Sequence, residues 1–201
     1  MKYLLFSDIH CNRDACARIV EKSKDADIAI CAGDLGSLRT GLRETVDALS
    51  DIAIPTILVH GNHESHAELL DACDHLGHFH VLHGNSIEIE GTTFFGIGGG
   101  IPTTPFGPWS VDFSEQDARR LLTASLSEFV FVTHSPPLGC LDALANDQHV
   151  GSDAVRTFVG KSRPMFVVCG HIHENAGQQG ELGGIPVINA GPAGVEFAWP
   201  S

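Results

Sequence analysis

The sequence predicts an α/β fold built on a largely parallel sheet, and two observations carry this prediction. Apolar, β-branched segments alternate with amphipathic helical segments along the first half of the chain. Five of the strand segments end in turns that present Asp, Asn or His side chains. Because ligands collect beyond the carboxyl ends of the strands of such a sheet, we expect these polar side chains to share one crevice.

Three strand–loop–helix units make up the first half of the chain. The predicted strands are residues 2–7, 26–32 and 54–59. The predicted helices are residues 12–24, 41–51 and 65–76. Asn12 is expected to cap the first helix. Asp8 and His10 follow the first strand at positions i and i+2, where an extended backbone would point both side chains the same way.

The second half of the chain is predicted to open with a hairpin whose turn is Glu90-Gly91. Further strands are predicted at residues 81–82, 86–90, 92–97, 128–133, 165–169, 176–181 and 184–189. Helices are predicted at residues 115–125, opened by Ser114 and Asp117, and at residues 152–160. Residues 98–109 form a loop rich in Gly and Pro, whose Phe106 and Trp109 favour a folded loop; whether it lines the site is left open.

The composition limits the classes of protein. The 201 residues are 43% hydrophobic, which suits one domain, 1–201, with a sizeable core. The formal net charge of −13 argues against long nucleic acids as partners, although metal ions can bind a phosphate to an acidic protein. Six scattered cysteines predict reduced thiols in a cytoplasmic protein, and no apolar run approaches the roughly 18 residues of a membrane span. A monomer and a homodimer are both left open.

The polar residues at the strand ends predict a metal centre. They are Asp8, His10, Asp34, Asn62, His63, His134, His171 and His173. Imidazoles, carboxylates and one amide suit manganese, iron, zinc or nickel, and the lack of thiolates in the set argues against a structural zinc site. One ion cannot use so many ligands. A two-metal site shares one carboxylate between the ions and divides the other ligands.

These residues resemble the motifs of the calcineurin-like metallophosphoesterases, and in particular the small single-domain prokaryotic branch. The family order is Asp-x-His, Gly-Asp, Gly-Asn-His-Asp/Glu, a lone His and Gly-His-x-His, and all five motifs occur here in that order. The resemblance implies a four-layer α/β/β/α sandwich with a dinuclear metal site at the C-terminal ends of the strands. It implies two divalent ions per chain, with manganese the first choice and iron, zinc or nickel as alternatives.

The same resemblance assigns roles to individual residues. One ion is expected to be held by Asp8, His10, His173 and a bridging Asp34. The other ion is expected to be held by Asn62, His134, His171 and Asp34. His63 resembles the family's non-ligand histidine near the leaving oxygen, and Glu64 is assigned to orient it. His149, Pro105 and Phe106 lie in segments that resemble the small branch and are candidate substrate contacts.

The chemistry follows from two divalent ions. They lower the pKa of a shared water from about 15.7 toward about 7 and polarise the phosphoryl oxygens, which implies in-line attack by a metal-bridging hydroxide. We therefore expect a metal-dependent phosphohydrolase, and favour a phosphodiesterase for small phosphodiesters or nucleotides. A phosphomonoesterase and, from another class, a non-catalytic metal-binding scaffold are the alternatives. Surface or packing roles are expected for His60, His66, His75, His78, His80 and His83.

Overall fold

The computed structural model describes residues 1–200 and contains two β-sheets and five α-helices in this part of the chain. The strands are β1 (Lys2–Phe6), β2 (Ile28–Cys31), β3 (Thr56–Leu58), β4 (Phe79–Val81), β5 (Asn85–Ile89), β6 (Thr92–Ile97), β7 (Phe129–Thr133), β8 (Phe166–Cys169), β9 (Gln179–Leu182), β10 (Ile185–Asn189) and β11 (Val195–Ala198). The helices are α1 (Arg13–Ser23), α2 (Leu42–Ala48), α3 (His66–Cys73), α4 (Glu115–Leu121) and α5 (Asp153–Ser162). A short 3₁₀ helix covers His173–Asn175.

Both sheets have parallel strands in the centre, and antiparallel pairing occurs only at sheet edges. The five-stranded sheet has the order β11, β1, β2, β3, β4, and only β11 is antiparallel to its neighbour. The six-stranded sheet has the order β5, β6, β7, β8, β10, β9, with antiparallel pairing at β5 and β9. The central strands of each sheet therefore end on one side, as the predicted crevice requires.

Alternating side chains of the strands build four layers. In β1, Leu4 packs in the cluster that contains α1, α2 and α3, whereas Leu5 packs in the cluster between the two sheets. In β6, Phe94 faces the cluster between the sheets and Phe95 faces α4 and α5. Successive residues of a strand point to opposite faces, so apolar residues at every position are buried on both sides. The predicted α/β/β/α sandwich is confirmed.

The predicted helix starts agree with the structure, but α2, α3 and α4 end three or four residues before the predicted ends, at Ala48, Cys73 and Leu121. The Asn12 side chain accepts a hydrogen bond from the Ala15 amide and caps α1. Ser114 caps α4 by accepting from the Asp117 amide, but the helix ends at Leu121 rather than near residue 125. No helix among residues 1–200 has the length and apolar character needed to cross a membrane.

Five strand predictions differ from the structure, and in two of them the strand begins two residues later than predicted, β2 at Ile28 and β3 at Thr56. The strand β11 was not predicted, because its residues alternate between half-buried and exposed and include Glu196. It forms because it pairs with β1, which places the end of the described chain beside its start. The strand β4 begins at Phe79, two residues before the prediction, since Phe79 pairs with Thr56. The strand β9 begins at Gln179 rather than residue 176, because the 3₁₀ helix at 173–175 occupies the preceding segment.

A substitution in the layer between the sheets tests this architecture. Phe94 is fully buried there, with its ring centroid 6.4 Å from that of Tyr3. We expect Phe94→Ala to lower the free energy of unfolding by about 3–5 kcal/mol, because it leaves a cavity between the sheets. Urea denaturation measures this change. Leu70→Ala, on the exposed side of α3, is the control and is expected to cost less than about 1 kcal/mol. An equally small loss for Phe94→Ala would contradict the two-sheet core.

Candidate metal centre and its cavity

The predicted metal ligands lie in the loops that follow five strands. Asp8 and His10 follow β1, Asp34 follows β2, Asn62 follows β3, His134 follows β7, and His171 and His173 follow β8. Several of these residues have the left-handed backbone conformation, with φ values of 55° at Asp8, 46° at His10, 58° at Asp34 and 68° at His171. This conformation is unfavourable for residues other than glycine and concentrates at functional sites.

The left-handed backbone corrects one expectation. Asp8 and His10 do not converge through an extended chain, since both have positive φ. The Asp8 amide instead donates to the Gly33 carbonyl at 2.9 Å, and the His10 amide donates to the Asp34 carbonyl at 3.0 Å. Hydrogen bonds between the loops after β1 and β2 therefore fix both side chains in the crevice.

Asp34 lies between two sets of candidate ligands. Its Oδ2 atom is 3.7 Å from His10 Nε2 and 3.5 Å from His134 Nε2. His10 Nε2 is in turn 3.2 Å from His173 Nε2. Three overlapping groups have ligand atoms within 4.8 Å of one another: Asp8/His10/His173, His10/Asp34/His63 and Asp34/His134/His171. This is the arrangement that a carboxylate shared by two cations needs.

Asn62 joins the set beside His134. Its Oδ1 atom is 3.1 Å from His134 Nε2, and the side chain is buried. Its Nδ2 group donates to Ser110 Oγ at 3.0 Å, which turns the amide oxygen toward the histidine. The amide therefore presents its oxygen, the atom through which an amide binds a cation, to the centre.

Backbone carbonyls set the proton positions on two of the histidines. His134 Nδ1 lies 2.7 Å from the Ala32 carbonyl, and His10 Nδ1 lies 3.3 Å from the Gly36 carbonyl. A carbonyl only accepts, so each Nδ1 carries a proton and Nε2 is the nitrogen that faces the centre. Burial lowers the pKa of His134, but the charge of Asp34 outweighs it and raises this pKa to about 9, so a bound metal ion would replace the proton on Nε2. Metal-binding histidines show this pattern, donating one ring N–H to a carbonyl and binding with the other nitrogen. The two residues fit a divalent metal ion.

His63 has the opposite arrangement. Its Nδ1 accepts a hydrogen bond from the Leu38 amide at 2.9 Å, so the proton of the neutral ring is on Nε2. Burial lowers the pKa of His63, and the charge of Asp34 opposes this effect only in part. Nε2, which lies 3.9 Å from Asp34 Oδ2, is therefore an N–H donor facing the centre. A neutral ring in this state presents an N–H group, and not a lone pair, to the centre.

The two carboxylates of the centre are held in the charged form. Burial raises the pKa of Asp34, but His134, His63 and His10 outweigh it and hold the pKa well below its usual range. Asp8 is also buried, and its hydrogen bond with His173 contributes to a lowered pKa. Two buried negative charges side by side favour a bound cation.

Glu64 corrects the predicted catalytic pair. Its carboxylate is buried and accepts hydrogen bonds from four backbone amides, those of Asp34 (2.8 Å), Leu35 (3.3 Å), Gly36 (3.1 Å) and Gly61 (2.9 Å). The Nδ1 atom that Glu64 was predicted to contact on His63 is bonded to the Leu38 amide instead. Burial and the nearby charge of Asp34 raise the pKa of Glu64 to about 7. Glu64 therefore positions the loop of Asp34 and does not orient His63.

Gly61 permits the close approach of the two loops that Glu64 joins. A Cβ atom at this position would lie 1.9 Å from Asp34 Oδ1 and 2.4 Å from the Asp34 amide nitrogen. No other residue fits there without moving the Asp34 loop. This explains why a glycine precedes Asn62 in the motif.

The comparisons with known proteins agree with this geometry. The family model for the calcineurin-like phosphoesterases matches residues 1–175, which contain all five motifs. The chain belongs to the calcineurin-like phosphoesterase family. Among solved structures, the family fold is shared with TT1561 of Thermus thermophilus, at a TM-score of 0.79 and 18% identity, over 96% of this chain and 90% of that one. A dimetal phosphatase from Danio rerio has a TM-score of 0.60 at 13% identity, over 94% of this chain and 86% of that one.

Two curated relatives are also similar in sequence. The UPF0046 protein T07D4.2 of Caenorhabditis elegans is 31% identical over 63% of this chain and 32% of its own length. The UPF0046 protein K07C11.7 of the same organism is 29% identical over 76% of this chain and 58% of its own length. The matched region thus spans less than two thirds of either relative.

A cavity of about 1040 Å³ opens onto the centre of this phosphoesterase-family chain. Its lining includes the candidate ligands Asp34, Asn62, His171 and His173, together with His63. The three predicted substrate contacts, Pro105, Phe106 and His149, all line it as well. Of the loop 98–109, residues 102–106 form part of the wall, which settles the question of whether this loop lines the site.

Aromatic stacking holds the loop 98–109 against His63. The Trp109 ring lies 4.7 Å from the His63 ring, and Phe106 stacks on Trp109 at 5.7 Å with an interplanar angle of 13°. Phe106 is 52% exposed, so its outer face is open to the cavity. The loop is folded, as Phe106 and Trp109 predicted.

Two further acidic residues support the cavity walls and were not predicted. Asp112 accepts hydrogen bonds from Thr104 Oγ1 at 2.7 Å and from Ser110 Oγ at 2.8 Å, and so closes the loop 98–109. Asp142 lies beneath His149, with its Oδ1 atom 2.6 Å from His149 Nδ1. Neither aspartate belongs to a motif or ends a strand, so the sequence carries no signal that marks it.

The histidines outside the motifs behave as expected. His60 is fully buried and donates from Nδ1 to the Gly61 carbonyl at 2.9 Å, and its ring packs 4.8 Å from that of His83. Burial lowers the pKa of His60 to about 3, so the ring is neutral. His75 lies at the surface, 3.2 Å from Asp47. These are packing and surface roles.

Glu64→Gln tests whether this carboxylate positions the centre. A Gln side chain has one acceptor oxygen and would turn an NH₂ donor toward backbone amides that also donate. We expect the dissociation constant for Mn²⁺ to rise about 10–100-fold, the effect typical of a lost supporting residue at a metal site. Calorimetric titration of the metal-free protein measures it. Glu44→Gln, which removes the same charge from exposed α2, is the control; equal affinities in the two variants would contradict the role of Glu64.

Proposed function

We propose that this chain hydrolyses phosphoesters with two divalent metal ions and acts mainly on small phosphodiesters. Asp34 would hold both ions, with Asp8, His10 and His173 on one and Asn62, His134 and His171 on the other. This donor set suits manganese first, with iron, zinc or nickel as alternatives. When bound, the ions supply an activated water and polarise the phosphoryl oxygens.

The observation that carries the proposal is the proton position on His63. The Leu38 amide occupies Nδ1 and leaves a proton on Nε2, which faces Asp34. Ester hydrolysis releases an alkoxide, and a positioned N–H donor stabilises or protonates it. A scaffold that only binds metal has no use for such a donor. The arrangement therefore favours hydrolysis over the non-catalytic alternative.

The lining of the cavity supports a diester as the substrate. Among the described residues that line it there is no Lys or Arg, and Glu174 adds a negative charge. A phosphomonoester or a polyphosphate carries more negative charge than a diester, and the cavity lining offers no Lys or Arg side chain to pair with it outside the metal centre. A phosphodiester carries one charge and two organic groups, and Pro105 and Phe106 offer an apolar wall for such a group. A phosphomonoesterase is the alternative within the same chemistry.

The proposal also includes a cytoplasmic location and a single domain, and the structure supports both. All six cysteines are free thiols and five of them are buried, which suits the reducing environment of the cytoplasm. The pairing of β1 with β11 ties the start of the chain to Val195–Ala198 in one sheet. This pairing supports one domain over residues 1–201, of which Ser201 lies outside the described residues.

Asp34→Ala is expected to abolish metal binding and hydrolysis together, because it removes the shared carboxylate. Metal content after reconstitution with Mn²⁺ and turnover of bis(p-nitrophenyl) phosphate measure the two effects. Asp51→Ala, an exposed aspartate beyond α2, is expected to leave both unchanged. Full activity of the Asp34 variant would exclude the proposed centre.

His63→Ala is expected to keep the metal content and slow turnover by roughly 10²–10⁴ if the ring donates the proton. The fall should be larger for a diester with an alkyl leaving group than for one with p-nitrophenolate, which leaves without a proton. Steady-state rates on the two kinds of diester, with metal content measured on the same samples, check this. Rates equal to those of the unaltered protein would remove His63 from the mechanism.

A further inference from the structure

A second oriented imidazole lines the cavity, outside the metal centre. Asp142, in the loop between β7 and α5, is fully buried. Its Oδ2 atom accepts hydrogen bonds from the Gly139 and Gly151 amides, both at 3.0 Å, and its Oδ1 atom lies 2.6 Å from His149 Nδ1. A buried carboxylate held by two amides is a fixed acceptor, so it fixes the orientation of the His149 ring.

The other nitrogen of this ring, Nε2, has no hydrogen-bond partner among the described residues. His149 Nδ1 donates to Asp142, and Nε2 lies on the opposite side of the ring. The His149 side chain is 55% exposed and lines the same cavity as the candidate ligands Asp34 and His171. The Asp142 carboxylate is its one hydrogen-bond and ion-pair partner within the described residues. Nε2 is thus directed by the protein and available to a ligand.

The loop does not need the imidazole for its own fold. The Val150 amide donates to the Asp142 carbonyl at 3.1 Å, and the Leu138 amide donates to the Ser152 carbonyl at 3.0 Å. Residues 143 and 149 also form an isolated β-bridge through their backbones. The backbone and the Asp142 carboxylate therefore close this loop. The imidazole is more than half exposed, so it adds little buried area to the loop.

We propose that the Asp142–His149 pair recognises the organic group that stays on the phosphate during hydrolysis, and that it selects groups carrying a hydroxyl. This inference rests on the proposed phosphodiesterase function. A hydroxyl both donates and accepts, so it pairs with Nε2 in either protonation state of the ring. His149 acts as a specificity-determining residue, and Asp142 acts as its positioning residue.

Two phosphodiesters that differ only in one hydroxyl group test the proposal. Both 4-hydroxybutyl and butyl p-nitrophenyl phosphate release p-nitrophenolate, and they differ only in the hydroxyl of the remaining arm. The unaltered protein is expected to favour the hydroxylated diester by about fivefold in kcat/KM, the effect of one hydrogen bond. His149→Phe keeps a ring but lacks the nitrogen, and is expected to bring the preference within about twofold. His149→Gln retains a polar group and is expected to restore part of it.

The controls separate the possible outcomes. His75→Phe removes the histidine of another His–Asp pair, His75 with Asp47 at 3.2 Å, which lies outside the cavity, and should leave the preference intact. A preference retained in His149→Phe, or absent from the unaltered protein, would overturn the inference while leaving the proposed function standing. If the metal-loaded protein cleaved neither diester, the proposed function would fail. Calorimetric titration would then measure the affinities of the unaltered protein and of His149→Phe for the two diesters. Tighter binding of the hydroxylated diester by the unaltered protein alone would support the inference, and equal affinities would overturn it.

Discussion

The buried carboxylate of Glu64 is the interaction on which the centre depends. It collects the amides of Asp34, Leu35 and Gly36 from the loop after β2 and the amide of Gly61 from the loop after β3. Without it, four backbone donors in the interior would lack partners, which costs free energy for each. Because Asp34 belongs to this loop, Glu64 places the Asp34 carboxylate between both sets of candidate ligands through backbone hydrogen bonds alone.

The backbone also decides which histidine takes which role. Carbonyl groups of Ala32 and Gly36 draw the proton of His134 and His10 to Nδ1, whereas the Leu38 amide drives the proton of His63 to Nε2. Three chemically identical side chains thus differ in the nitrogen that the backbone engages, which suits two of them to hold a metal ion and the third to donate a proton. All three backbone groups belong to the loop after β2, which hydrogen bonds join to the loop after β1 and which contains the left-handed residues Asp34 and Leu38.

Most of the fold and the candidate ligand set could be predicted from the sequence at the ends of the strands. The apolar runs of β1, β2, β3, β7 and β8 and the Asp, Asn and His residues behind them are local signals, and parallel pairing brings them together. The role predicted for Glu64, orienting His63, was wrong. Glu64 follows His63 in the sequence, but its side chain bonds to the loop after β2 and not to the His63 ring. Asp142 and β11 were missed because only tertiary contacts define them.

Anomalous diffraction from crystals grown with Mn²⁺ tests the central claim most directly, since it locates each ion without relying on activity. The structure predicts two anomalous peaks per chain, both within coordination distance of the Asp34 carboxylate, with His63 Nε2 bound to neither. A single peak, or two peaks that do not share Asp34, would contradict the account. A peak ligated by His63 Nε2 would contradict the assignment of that residue as the proton donor.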